Sequence, residues 1–490
     1  FLCRDSVVLV RAPRALGSDG EEGDRVREIP TNRTIFLAGW GMGGARELLS
    51  GASCGLPEPG DRHVSPLAAY GGGGASARED GGMADYDVAA VRAHFPALAE
   101  GAAHFDAPGG TQTPDVVADA VRDALLSAVA NRGTVTPAER RAEEIVAVCR
   151  AALADLLGAD PGGIVFGRSA TALTYDLSRA LARTWGPGDE VVVTRLDHDA
   201  NVRPWVQAAE SVGATVRWVD FDPATGELPL AAVEAVLSPR TRLVATTAAS
   251  NLIGTRPPVR QIAQAVHRVG ALYWVDGVHA TAHASVDVAW LGADFWTCSP
   301  YKFLGPHCGV VAAAPALLEG LVMDKLLPAT DDVPERFELG TLPYELMAGT
   351  TAAVDFLAGL GELAGASGSA GVIASRRGRI VASMAAVEAH EDRLRARMEA
   401  ALRGRDGIRV YSNAGARTPT MLFSIDGQDP QETRKALADR GINAPAGNFY
   451  ALECSRHLGL GDAGAVRVGL APYSSDEDVD RLVEALGDLA

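Results

Sequence analysis

Cysteine is scarce in this chain and never stands in a C-x-x-C pair; Cys3, Cys54, Cys149, Cys298, Cys308 and Cys454 are scattered over 490 residues. That spacing argues against a disulfide framework and suits reduced thiols in a cytoplasmic protein. No apolar run reads as long enough to cross a bilayer, so no membrane partner is expected. No signal-peptide pattern stands ahead of the globular part. Basic residues are in deficit, 45 Lys and Arg against 62 Asp and Glu, and the net charge of -17 repels a phosphate backbone, which argues against nucleic acid as a ligand. What is present is ordinary globular material, 47% hydrophobic and 22% charged, enough at this length for two or three cores.

Residues 1–82 lack sustained periodicity, are rich in Gly and Arg, and close on "YGGGGASAREDGG". They read as a disordered or non-native N-terminal extension, with Met83 as the expected natural start. The "GWGMGG" run inside them has no βαβ pattern around it and reads as a flexible segment rather than a dinucleotide loop. Residues 83–114 form an N-terminal segment expected to join the smaller domain. Over 115–345, helical stretches such as "AERRAEEIVAVCRAALADLLG" alternate with short β-branched runs, "GIVF", "EVVVT", "TVRWVD", "RLVATTAAS" and "ALYWVD". Such alternation predicts an α/β fold with a mostly parallel sheet covered by helices, which binds ligands beyond the carboxyl ends of its strands. Residues 346–490 begin with a long helical region and end in a smaller β/α unit, a predicted second domain.

The most informative stretch runs from "ALYWVDGVHATAH" to "ADFWTCSPYKFLGPHCGVV". Asp276 closes a strongly apolar strand, where a carboxylate needs a partner or a wet crevice. Lys302 follows the next short strand, so both are expected at one crevice. An acid that keeps a pyridine nitrogen protonated and a lysine that forms an imine together make an electron sink. His279 and His283, four residues apart, bring no third or fourth ligand, so no metal is expected.

At these residues the chain resembles the class V aminotransferases, the group that includes cysteine desulfurases of the SufS type, isopenicillin epimerase-like enzymes and some C–S lyases. The resemblance covers about residues 84 to 489, through "HFDAPGGTQTP", "GRSATALTYDL", "RLDHDANVRPW", "AASNLIGTRPPV", "VDGVHA", "SPYKFLGPHCGV" and "RFELGTLPYE" in the family's order. It implies a fold type I enzyme, a seven-stranded sheet in the large domain, and pyridoxal 5'-phosphate (PLP) as cofactor, held by Lys302 as a Schiff base. It also implies that Ala170 and Thr171 meet the phosphate at a helix N-terminus, that His198 stacks on the pyridine ring, and that Asp276 pairs with its nitrogen. His279 falls where the desulfurases usually place Gln against the phenolic oxygen, and Ser299 matches a phosphate ligand. Tyr301 replaces the usual histidine before the lysine but can still donate to phosphate. Gly340 and Thr341 resemble the pair that reaches the other protomer's cofactor, which implies a homodimer with shared sites. Arg467, with Asn251 nearby, matches the arginine that fixes the carboxylate of an amino-acid substrate.

A cysteine desulfurase needs a loop thiolate, and here "PAGNFYA" stands where that cysteine is expected. Cys454 lies several residues late. The first reading is therefore a desulfurase-like or C–S lyase reaction, with a sulfur-acceptor protein as a partner if persulfide forms. Transamination and epimerisation share its first steps and stay open. From another class, the chain reads alternatively as a PLP-fold scaffold or sulfur-relay partner with weak catalysis.

Overall fold

A computed structural model describes residues 86–365 and 375–489; the expectations for residues 1–82, including the Gly41 segment and Met83, lie outside them. Thirteen strands occur among the described residues: β1 Ala103–His104, β2 Ile164–Gly167, β3 Glu190–Thr194, β4 Thr215–Val219, β5 Thr241–Thr247, β6 Leu272–Asp276, β7 Phe295–Cys298, β8 Gly309–Ala313, β9 Ile408–Val410, β10 Thr420–Ile425, β11 Ile442–Asn443, β12 Ala446–Gly447 and β13 Ala465–Gly469. Seven build one sheet in the order β2-β8-β7-β6-β5-β3-β4. Strands β3 to β7 run parallel, and β8 is antiparallel to both of its neighbours. The mostly parallel sheet read from the sequence is therefore present. Its central strands are buried on both faces, as "EVVVT" and "FWTC" show, which is why they read as continuous rather than alternating apolar runs.

Helices follow where the capping chemistry puts them. Thr136 and Glu139 form a capping box that opens helix Pro137–Leu157, and Gly158 ends it in the left-handed conformation. Ser169 caps helix Ala170–Ala182 by accepting the Ala172 N–H. Helix Tyr344–Leu363 corrects one expectation: by length and composition it is apolar enough to cross a membrane. It packs against helices Asp115–Leu126, Pro137–Leu157 and Arg376–Arg403, and Met347, Val354, Leu357 and Leu360 join the main core.

Beyond helix Arg376–Arg403 the antiparallel strands β12-β13-β10-β9 form a second sheet. It has its own apolar core, in which Phe423 and Val468 meet Leu394, Met398 and Leu482. Strand β1 pairs with β11, so the segment before residue 115 is tied to this C-terminal region. All described residues fall within a single compact unit.

Candidate active site

Five strands of the large sheet end at one crevice. β2 leads to Ser169 and Ala170, β3 to His198, β5 to Thr247, β6 to Asp276, and β7 to Ser299 and the 3-10 turn Pro300–Lys302. A cavity opens there, beyond the carboxyl ends of these strands. Ala170, Thr171, His198, Asn251, Asp276, His279, Ser299, Tyr301 and Lys302 line it together. Thr174, Thr247, Val278 and Thr297 also line it; nothing in their residue types marked them beforehand.

At one end, Ala170 and Thr171 carry the first N–H groups of helix Ala170–Ala182, which have no acceptor inside the helix. Backbone packs tightly behind them: a Cβ on Gly309 would stand 2.1 Å from the Ser169 carbonyl carbon, so only glycine lets β8 pass. Such an N-terminus attracts an anion.

At the other end, Asp276 is 7% exposed. Its carboxylate accepts one hydrogen bond among the described residues, from Val278 N–H at 2.9 Å. Burial raises its pKa to about 6, against the pull of that hydrogen bond and of Lys302. Lys302 is 8% exposed and donates from Nζ to the Pro108 carbonyl. Burial, with the Arg467 charge, lowers the amine to about 7. His198 accepts the Ala200 N–H on Nδ1 at 3.0 Å, and burial pushes it down to about 4, so it is a neutral ring.

His279 sits deeper. Its Nε2 lies 3.0 Å from the Thr418 hydroxyl and 2.9 Å from that of Thr420, while Nδ1 has no partner. Burial holds its pKa well below the usual histidine value. His283 stands edge-on to it at 4.8 Å and engages Glu391 through Nδ1 at 2.9 Å. Tyr301 stacks flat on His307 at 4.7 Å.

Gly340, Thr341 and Arg467 are not among the residues that line this cavity. Gly340 and Thr341 are exposed and line a separate cavity with Arg168, His307 and Glu338. Arg467 is 2% exposed on β13, next to the cavity-lining Asn251. Its Nη1 donates to the Asn251 carbonyl at 2.9 Å, and the Phe449 ring centroid lies 3.7 Å from its guanidinium carbon. Burial lowers its pKa to about 9. Phe449 had not stood out in the sequence, since it sits in the turn after β12 and meets Arg467 of β13 only once those strands pair. Cys454 is fully buried in helix Leu452–His457, and burial pushes its thiol far up.

The family profile described as "Aminotransferase class-V" matches residues 103–482. An uncharacterised protein of Mycobacterium tuberculosis is 36% identical over 82% of this chain and 99% of its own length. A cysteine desulfurase of Dickeya dadantii is 31% identical over 82% of this chain and 96% of its length. The crystal structure of the cysteine desulfurase CsdA of Escherichia coli superposes with a TM-score of 0.71 at 26% identity, covering 82% of this chain and 98% of that one. The chain belongs to the class V aminotransferase family, an enzyme family whose members generally depend on PLP.

Proposed function

We propose that Lys302 carries PLP and that the enzyme cleaves a C–S bond in a small amino acid, in the manner of a cysteine desulfurase-like lyase. The observation that carries this reading is the buried Asp276 carboxylate, which shares one cavity with a buried lysine and an open helix N-terminus yet has a single backbone N–H for a partner. An isolated buried carboxylate is costly unless a cation meets it, and a protonated pyridine nitrogen supplies one. The residues therefore fit the cofactor: Ala170, Thr171 and Ser299 for its phosphate, His198 for its ring face, Asp276 for its nitrogen, and Asn251, His279 and Tyr301 around its rim.

Bound there, PLP supplies an electron sink for negative charge on the substrate α-carbon. Lys302, with its amine lowered to about 7, is the base that takes the α-proton on Nζ near neutral pH. Asp276 keeps a proton on the pyridine nitrogen, and His198 stays uncharged against the ring. Arg467 orients the substrate by its carboxylate. The burial of Cys454 favours elimination over sulfur transfer to an enzyme thiol, because a thiol raised by burial holds its proton and cannot attack.

Gly340 and Thr341, exposed beside the exposed Leu339, support a homodimer in which each protomer completes its partner's phosphate site. Cys149, Cys298, Cys308 and Cys454 are all free thiols, which supports a cytoplasmic setting. The test is product analysis with L-cysteine as substrate. We expect sulfide and pyruvate, lost in Lys302→Ala; keto-acid exchange without sulfide would instead identify an aminotransferase.

A further inference from the structure

The turn over Arg467 is held in a conformation that its own residues disfavour. Phe449 and Tyr450 have φ of 52° and 59°, left-handed values that bulky residues keep only where neighbours impose them. Asn448 builds the turn: its Oδ1 accepts the Tyr450 N–H at 3.0 Å, and its Nδ2 donates to the Asp462 carbonyl at 2.9 Å. The cavity wall fixes it from the other side. Asn251 Nδ2 donates to the Phe449 carbonyl at 3.0 Å, and Asp199 N–H donates to the Tyr450 carbonyl at 2.7 Å. Tyr450, 75% exposed, stacks on His198 at 5.6 Å.

This anchoring brings the Phe449 ring against the Arg467 guanidinium, with 3.7 Å between centroid and central carbon. The Arg467 donors are consequently unequal. Nη1 is engaged by the Asn251 carbonyl, whereas Nε is buried with no partner. Nη2 lies beside Gly109, where even a Cβ would stand only 3.3 Å away, so a side chain there would crowd the approach. An aromatic ring on a guanidinium face excludes water from it, and a desolvated, fixed fork gains most from an in-plane carboxylate.

We propose that Phe449 is a specificity-determining residue: by covering the guanidinium face it leaves only the edge of Arg467 to a ligand, so the site selects amines that carry a planar carboxylate. This rests on the reading of Arg467 as the carboxylate-binding residue. Phe449 thereby acts through Arg467, as a positioning residue.

The experiment titrates holoenzyme with L-cysteine and with cysteamine, the same molecule without its carboxylate, and reads each Kd from the change in cofactor absorbance before turnover. Phe449→Leu keeps apolar bulk and loses the π-face. It is expected to reduce the preference for L-cysteine about tenfold by weakening L-cysteine alone, while Phe449→Tyr retains the preference. If Phe449→Leu does not fold, Phe449→Met makes the same comparison. An unchanged preference in the Leu or Met variant, with a reduced one in Arg467→Lys, overturns the role of Phe449 and leaves that of Arg467 standing. An unchanged preference in Arg467→Lys overturns the Arg467 reading and this inference with it.

Discussion

Two regions of this molecule bury charge in opposite ways. Near the edge strand β2, Arg150 makes a two-armed contact with Glu338, both bonds at 2.9 Å, and Glu338 also accepts the Phe166 N–H. Arg132 extends the network to Glu143 and Glu335. Every charge there meets an opposite one. At the crevice, by contrast, Asp276 has a backbone N–H, Lys302 a carbonyl, and Arg467 a carbonyl and an aromatic face. The first arrangement holds segments together. The second buries its charged groups without direct ion-pair contacts, and that desolvation pushes their proton affinities toward neutrality and readies them for a ligand.

Removing one member from each region separates the two. Glu338→Ala leaves the buried Arg150 with only the longer 3.4 Å ion pair to Glu335 and is expected to destabilise the protein by about 3 kcal/mol, measured by denaturant unfolding. Asp276→Asn removes a buried charge with no opposite partner; cofactor-free protein should be as stable as wild type or more so, while turnover falls roughly 10²-fold or more. Equal loss of stability in both variants would erase the distinction.

The pH dependence sharpens it. The folded chain releases the Lys302 proton near pH 7, whereas an ordinary lysine holds it to about 10.5. Between those values the unfolded chain binds more protons, so stability at this site rises with pH across the window, and the penalty is complete below it. Cofactor-free Lys302→Met is therefore expected to melt above wild type below pH 7, with an advantage that shrinks as pH rises toward 10.5. An advantage that grows with pH would contradict the assigned shift.

The smallest effect belongs to a third kind of buried group, a thiol without a partner role. Cys454→Ala should lose about 1 kcal/mol of packing and keep its rate of sulfide release. Loss of sulfide release in folded Cys454→Ala would restore a sulfur-carrier role.

Much of the crevice was legible in the sequence because its residues sit at ends of elements that local pattern defines. Asp276 closes "ALYWVD", Lys302 follows "DFWTC", and Ser169 opens a helix, so knowing that the strands were parallel was enough to bring them together. The regions that were illegible depend on contacts across the chain. Phe449 meets Arg467 from a different strand of chain, and no periodicity encodes that approach. Thr418 and Thr420 reach His279 from the second sheet in the same hidden way. Cys454 reads from the sequence only as lying several residues late for the expected loop cysteine; its burial against the main core came with the fold. Helix Tyr344–Leu363 was misjudged for a related reason: its neighbours, rather than a lipid phase, explain an apolar surface broken only by Glu345, Asp355 and Glu362.

The central claim is that Lys302 carries the cofactor, and its most direct test is borohydride reduction of PLP-loaded protein followed by peptide mapping. The account predicts one stable phosphopyridoxyl group on the peptide containing Lys302, absent from Lys302→Ala. Addition at another lysine, or an unmodified Lys302 peptide from protein saturated with PLP, would contradict it.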